Sequence, residues 1–179
     1  FWIDDRDRIW IGTEDGGINI FDPESERFEY LTANPDNPNS ISQNCIKALL
    51  PDGRGNLLIG TFWGGIDVLN TATGKMKHYR HIPGDPESLS DNRVWALCRE
   101  KGGGIWTGTS AGIDLFNPAN GTFVHYPGLV SNKQVNWIST DSDNNLWIGT
   151  TDEVVVFDQE NETVSRFSDH SRSFLEDSL

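Results

Sequence analysis

The chain has 179 residues, of which 36% are hydrophobic and seven are tryptophans, and this content suffices for a folded core. Its 27 acidic and 14 basic residues give a net charge of −13, which argues against nucleic acid and an anionic membrane surface as partners. No apolar run approaches the roughly 20 residues that span a bilayer, and two cysteines are too few for a disulfide framework.

A five-residue segment recurs four times and sets the frame of the chain. Each copy is a short apolar run that favours a buried strand. The glycine inside the strand predicts close approach by a neighbouring backbone. The glycines lie 48, 48 and 41 residues apart, and the copies are Ile-Trp-Ile-Gly-Thr at 9–13, Leu-Leu-Ile-Gly-Thr at 57–61, Ile-Trp-Thr-Gly-Thr at 105–109 and Leu-Trp-Ile-Gly-Thr at 146–150.

Each repeat contains the same series of predicted elements, in chain order. A first strand covers 45–50, 93–99 and 135–140, and residues 1–3 align with its end. A polar turn follows, then the glycine-containing strand, a second turn, a third strand, an Asp-Pro type of turn, a fourth strand and a long polar connection. The polar turn opens with an acid in every copy: Asp4, Asp52, Glu100 and Asp141.

Four short strands per period without helical periodicity predict an all-β chain built as a β-propeller. The repeats cover about 1–42, 43–90, 91–134 and 135–179, so about four blades of four antiparallel strands are expected. Each blade of a propeller buries a face on its neighbour. Because four blades are fewer than a usual ring, we expect a partial propeller with two uncovered sheet faces.

The repeat motifs resemble a known family. The series Leu/Ile-Trp-Ile-Gly-Thr, Gly-Gly-Ile, Phe-Asp-Pro and Pro-x-x-Pro-x-Ser-Leu-Ser-x-Asn is similar to the two-component regulator propeller repeat. The resemblance implies a periplasmic sensor region of a hybrid two-component histidine kinase, which signals without catalysis in this segment. It also implies a parent chain with further blades and kinase modules, acting as a homodimer.

Three patterns suggest chemistry that the repeat frame argues against. Gly-Thr-Ser-Ala-Gly at 108–112 spells a nucleophile elbow, but the frame predicts strand, turn and strand around Ser110 instead of strand and helix. The segment 141–145 begins like a calcium loop, yet Leu146 stands where that loop needs glycine. His78 and His125 share one repeat position and are expected to be solvated. We therefore predict no catalytic residue, metal or cofactor.

The candidate ligand site consists of residues that differ between repeats. Trp10, Trp106 and Trp147 recur at one position and are predicted to be core. An indole beside polar groups on an open face suits a sugar ring, so an oligosaccharide is the expected ligand. The other interpretation of the three tryptophans that do not recur, Trp63, Trp95 and Trp137, is that they pack between blades. The predicted site residues are Trp63, Phe62, Trp95, Arg93, Trp137, Asn136, Lys47 and Asn44.

Two other function classes stay open at this stage. An interaction platform would show a broad apolar patch in place of a small aromatic and polar pocket. A lyase would need a basic residue and a carboxylate or metal converging on the channel, for which Lys47 is the one candidate.

Overall fold

The computed structural model describes residues 1–167, and all regular elements in this range are β-strands. The predicted all-β architecture with four blades is confirmed, because sixteen strands form four antiparallel sheets of four strands. Residues 1–167 contain no helix long and apolar enough to cross a membrane. The last predicted repeat runs to residue 179, so its end lies outside the described residues.

The four sheets follow one another along the chain. Blade 1 contains β1 (Trp2–Ile3), β2 (Ile9–Gly12), β3 (Ile18–Asp22) and β4 (Arg27–Leu31), and blade 2 contains β5 (Ile46–Pro51), β6 (Asn56–Thr61), β7 (Gly65–Asn70) and β8 (Met76–Tyr79). Blade 3 contains β9 (Val94–Arg99), β10 (Ile105–Thr109), β11 (Ile113–Asn117) and β12 (Thr122–His125), and blade 4 contains β13 (Val135–Thr140), β14 (Leu146–Thr150), β15 (Val154–Asp158) and β16 (Thr163–Phe167).

Strand order in every sheet is the order in sequence, so each blade is a meander. Side chains opposite each other on neighbouring antiparallel strands share a face of the sheet. In blade 1, Trp10 on β2 is opposite Trp2 on β1 and Ile20 on β3, which gives one apolar face. The repeated segment forms the second strand of each blade, and its buried side chains belong to the hydrophobic cores.

The chain forms two compact units. Unit 1 comprises residues 1–80 with 92–94, and unit 2 comprises 81–91 with the chain from 95 onward. The core of unit 1 includes Trp10, Ile46 and Ile59. The core of unit 2 includes Trp106 and Ile148. Each core joins side chains of two successive sheets, so one packing rule serves both units.

The glycine of the repeated strand is a socket for a side chain of the next sheet. A Cβ on Gly12 would lie 2.6 Å from Cγ2 of Ile46, and a Cβ on Gly108 would lie 2.6 Å from Cγ1 of Val135. The prediction that another group closely approaches this glycine is confirmed, but the predicted group, a neighbouring backbone, is wrong. A β-branched side chain, not a backbone, occupies the space that glycine leaves.

The acid that opens the first turn has a defined structural role. Asp141 accepts hydrogen bonds from the Asn145 amide at 2.8 Å and from Trp147 Nε1 at 2.8 Å. Asp4 likewise accepts from Trp10 Nε1 at 2.9 Å. Burial alone would raise the pKa of both carboxyls, but these hydrogen bonds lower it below the ordinary value. The segment at 141–145 is therefore a turn that holds a tryptophan.

The long connections are fastened by buried aspartates. Asp67 is fully buried on β7, and its carboxylate accepts from the Ser42 amide at 2.6 Å and from Ser42 Oγ at 2.5 Å. His78 Nδ1 lies 2.7 Å from the same carboxylate. We call this arrangement the aspartate latch. Unit 2 repeats it with a carboxylate at Asp114 and partners at Ser90 and His125.

His78 and His125 are exposed, as predicted, and the latch gives each of them a fixed partner as well. Each histidine is opposite its aspartate in the strand register and is bound to it. Ser42 Oγ and His78 Nδ1 both contact the same oxygen of Asp67, so the histidine does not stand between serine and aspartate as a general base would. The latch is structural.

Candidate functional site

The most exposed tryptophan in unit 1 stands on the turn between β6 and β7. Trp63 is 59% exposed. The turn is fixed at both ends, because the Phe62 amide donates to the Cys45 carbonyl at 2.9 Å and the Gly65 amide donates to the Asn92 carbonyl at 2.9 Å. These bonds determine where the indole points.

Trp63 also has an unusual backbone conformation. Its φ is +80°, a region that bulky residues rarely occupy and that costs about 1–2 kcal/mol. Gly65 two residues later has φ +77°, and a Cβ there would collide with the Tyr79 carbonyl. Glycine is the residue expected at such positions, so the backbone at Trp63 is strained.

A row of aromatic and cationic groups extends from Trp63. The Arg93 guanidinium carbon lies 4.9 Å from the centroid of the Trp63 ring, within the range of a cation–π contact. The Phe62 ring meets Trp63 edge to face, with centroids 5.4 Å apart. Lys47 Nζ lies 5.7 Å from the Phe62 centroid. We call these residues, with Glu14, the Trp63 site.

Glu14 is the last residue of the row, and it stabilises the charged form of Lys47. Lys47 Nζ lies 2.7 Å from Glu14 Oε1. The hydrogen bond from Lys47 lowers the pKa of the Glu14 carboxyl, and the same bond raises the pKa of the Lys47 amine. Lys47 is therefore held protonated at neutral pH and is poorly suited to act as the base of a lyase.

Half of the predicted site residues meet in the structure. Phe62, Trp63, Arg93 and Lys47 lie together in unit 1. Asn44 lies elsewhere in that unit, where its side-chain oxygen accepts from the Ala33 amide at 2.7 Å and its carbonyl accepts from the Gly17 amide. Asn44 thus holds the connection between blades.

The other three predicted residues lie in unit 2. Trp95 is half-buried and donates from Nε1 to Ser110 Oγ at 2.9 Å, which also assigns Ser110 to a turn between two strands. Trp137 lies against Gly149 of its own blade. Asn136 is exposed and accepts from Gln134 Nε2 at 2.6 Å. These contacts give Trp95 and Trp137 packing roles.

Glu14 was not among the site residues predicted from the sequence. Its position in the second turn matches that of Phe62, so the two residues occupy equivalent places in successive blades. A search for opposite charges among residues that differ between repeats would have paired Glu14 with Lys47.

Comparison with known proteins supports the repeat interpretation. The family model described as two component regulator propeller matches residues 88–111 and 128–152. No curated protein sequence matches the chain at a significant level.

Several solved structures are similar in fold. One is the extracellular domain of BT4673 from B. thetaiotaomicron, described as a hybrid two component system, with a TM-score of 0.73, 23% identity, and coverage of 93% of this chain and 23% of that one. The extracellular domain of BT3049 from the same organism, described in the same way, gives a TM-score of 0.53 at 25% identity, with 97% and 29% covered. PorZ of Porphyromonas gingivalis, a surface component of the type-IX secretion system, gives 0.64 at 17% identity, with 92% and 26% covered.

The chain spans about a quarter of the length of these structures. The two segments matched by the family model each include the repeated second strand of a four-stranded sheet, β10 and β14. Residues 88–111 and 128–152 are thus similar to the two-component regulator propeller repeat, and the fold of the chain is that of a propeller.

Proposed function

We propose that the chain is a sensing segment of an extracellular or periplasmic propeller and that it binds a ligand at the Trp63 site. The observation that carries the proposal is the exposed indole of Trp63 at φ +80° with the Arg93 guanidinium over its ring. Hydrophobic burial does not explain an exposed ring, and local stability does not explain the backbone conformation. A binding role explains both.

An oligosaccharide fits the chemistry of this site best. The C–H face of a sugar stacks on an indole, and its hydroxyls accept hydrogen bonds from cationic side chains. Trp63 supplies the ring, and Arg93 and Lys47 supply donors on either side of the aromatic pair. Glu14 adds an acceptor for a sugar hydroxyl.

Signalling from such a site needs no chemical step. A ligand that binds one of two arrangements of a homodimeric parent more tightly shifts the population toward that arrangement. The kinase modules implied by the family resemblance would read the shift. The segment itself then acts as a binding module and not as an enzyme.

Isothermal titration calorimetry on the full-length protein tests the site. The probes are a neutral cello-oligosaccharide series and an acidic oligogalacturonide series. We expect one series to bind and Trp63→Ala to weaken that binding at least tenfold, with a melting temperature within about 2 °C of the wild type. Tyr30→Ala is the matched control, because Tyr30 is an exposed aromatic residue of the same unit. Unchanged binding by Trp63→Ala would reject the site.

A second candidate, an interaction surface, is favoured by one face of blade 1. Ile3, Ile11, Phe28 and Tyr30 are exposed, and the strand register places them on the same face of the sheet. Sheets in this chain bury such faces on the next sheet. The occupant we propose is a further blade of the parent chain. If a further blade covers this face in the full-length protein, Tyr30→Ala should lower the melting temperature by several degrees, and an unchanged melting temperature would contradict that packing.

A further inference from the structure

Unit 2 contains a groove of about 570 Å³. It lies at the edge of the sheets where the first strand of a blade turns into the second and the third turns into the fourth. Its floor includes Trp106 and Tyr126 of blade 3 and Phe157 of blade 4. Its rim is formed by the turns between β9 and β10, β13 and β14, and β15 and β16. The volume is in the range of small-molecule sites. No residue of the Trp63 site takes part in it.

A buried donor in this groove has no acceptor. Trp106 is 2% exposed, and its Nε1 has no hydrogen-bond partner among the described residues. Buried polar groups without partners are rare in folded proteins and call for an explanation. The indole N–H therefore indicates a place for an acceptor atom that the described part of the chain does not supply.

The two related blades show why the acceptor is missing. Trp10 and Trp147 occupy the same repeat position as Trp106, and each donates to the aspartate that opens its turn. In blade 3 that acid is Glu100, one methylene longer. Its carboxylate accepts from the Gly104 amide at 3.3 Å. The glutamate bonds to its own turn, and the indole N–H stays free for another partner.

The rim of the groove is strongly acidic. Glu100, Asp143, Glu160 and Glu162 line it, against a single lysine, Lys101. Within residues 1–167, no basic side chain forms an ion pair with any of these four acids. The rim therefore favours a cation, while the floor of aromatic rings suits the carbon skeleton of an organic cation.

The Trp106–Tyr126 pair supplies an apolar corner for that skeleton. The two rings meet edge to face with centroids 4.9 Å apart. The corresponding groove of unit 1 lacks the combination, because Trp10 is bonded to Asp4, and Thr71 and Gly74 stand on the rim beside Arg8. Of these two grooves, the one in blades 3 and 4 joins an unbonded buried N–H with an acidic rim.

We propose that this groove binds a small primary amine that carries a neighbouring hydroxyl or carbonyl oxygen. The ammonium group lies among the rim carboxylates, the carbon skeleton lies on the aromatic floor, and the oxygen accepts a hydrogen bond from Trp106 Nε1. This site is separate from the Trp63 site and does not depend on it.

Calorimetry on the full-length protein with glucosamine as the probe tests this site. N-Acetylglucosamine is the matched control ligand, because acetylation of the amine removes the positive charge and leaves the ring and all of the hydroxyls. We expect glucosamine to bind in the millimolar range or tighter and N-acetylglucosamine to bind at least tenfold more weakly. No heat from glucosamine at 10 mM, or equal binding of both sugars, would overturn the proposal.

Two variants connect the binding to the indole N–H. Trp106→Phe removes the N–H and keeps an aromatic floor, and Glu100→Asp gives the indole the short carboxylate partner that Trp10 has in Asp4. Each should weaken glucosamine binding at least tenfold, and Glu100→Asp should not lower the melting temperature. Unchanged affinity in both variants would contradict the site. Trp106→Phe should leave unchanged the oligosaccharide binding that Trp63→Ala weakens, so the two site proposals fail separately.

Discussion

Two kinds of tryptophan occur in this chain, and they differ in what holds them. Trp106 is buried at a position that recurs in three of the four blades, and its large ring fills the core of unit 2. Trp63 stands at a position where the other repeats have different residues, with most of its ring in solvent and φ at +80°. The recurrent ring stabilises the blade, whereas the variable ring is held out at a cost to the backbone.

The difference between the two tryptophans shows how recurrent and variable positions of a repeat protein can be interpreted. Positions that agree between repeats obey a packing rule, and positions that break the agreement are released from it. The rule is visible at Gly12 and Gly108, which each admit a β-branched side chain from the next blade. Departures from the rule mark both the Trp63 turn and Glu100, and we assign a ligand to each of these places.

The largest expected effect comes from removing a recurrent ring. Trp106→Ala should destabilise the protein by about 3–5 kcal/mol, because it leaves a large cavity in the core of unit 2. Trp63→Ala should change stability by less than about 0.5 kcal/mol. Urea denaturation followed by circular dichroism measures both. Similar losses in the two variants would remove the distinction between the classes of tryptophan.

The next effect tests whether the aspartate latch is structural. Asp67→Ala leaves Ser42 and His78 without their buried acceptor and should cost about 3 kcal/mol. Asp67→Asn keeps an acceptor for the Ser42 amide and should cost less. Thermal denaturation of the two variants, with oligosaccharide binding measured alongside, checks this. A stable Asp67→Ala variant that fails to bind ligand would show that the latch has a binding role and not a structural one.

A smaller effect depends on pH. The folded-state pKa of Asp4 and of Asp141 is lowered, so each contributes stability above its unfolded pKa of about 3.9 and loses it as pH falls through the lower folded value. Asp141→Asn should therefore cost about 1 kcal/mol at pH 7 and flatten the loss of stability below pH 4. Denaturation midpoints between pH 2 and pH 7 measure this. An unchanged acid limb in the variant would show that Asp141 is not stabilised by its bonds to Trp147 and Asn145.

Much of the fold follows from the repeat alone. The predicted first strands at 45–50, 93–99 and 135–140 end or begin within one residue of β5, β9 and β13. Periodicity succeeded because every blade must satisfy the same packing, so four copies report on one structure. The latch escaped prediction because its bonds join residues 25 and 11 positions apart, which sequence spacing within a strand does not indicate.

The site was predictable only in part. Variability between repeats selected Trp63, and the structure places Arg93 over its ring. The same criterion also selected Trp95 and Trp137, which pack against Ser110 and Gly149. Variability shows freedom from the packing rule, but exposure depends on the turn conformation. That conformation is fixed by hydrogen bonds that the turn donates to distant residues such as Asn92, whose carbonyl accepts from the Gly65 amide.

Replacing Trp63 by glycine tests the central claim most directly. Glycine accepts φ +80° without strain, so Trp63→Gly should raise stability by up to about 1 kcal/mol or leave it unchanged. Because the ring is lost, oligosaccharide binding by the full-length protein should fall at least tenfold in calorimetry. We predict this combination of lost binding with retained or increased melting temperature. Retained binding, or a melting temperature lowered by several degrees, would contradict the account.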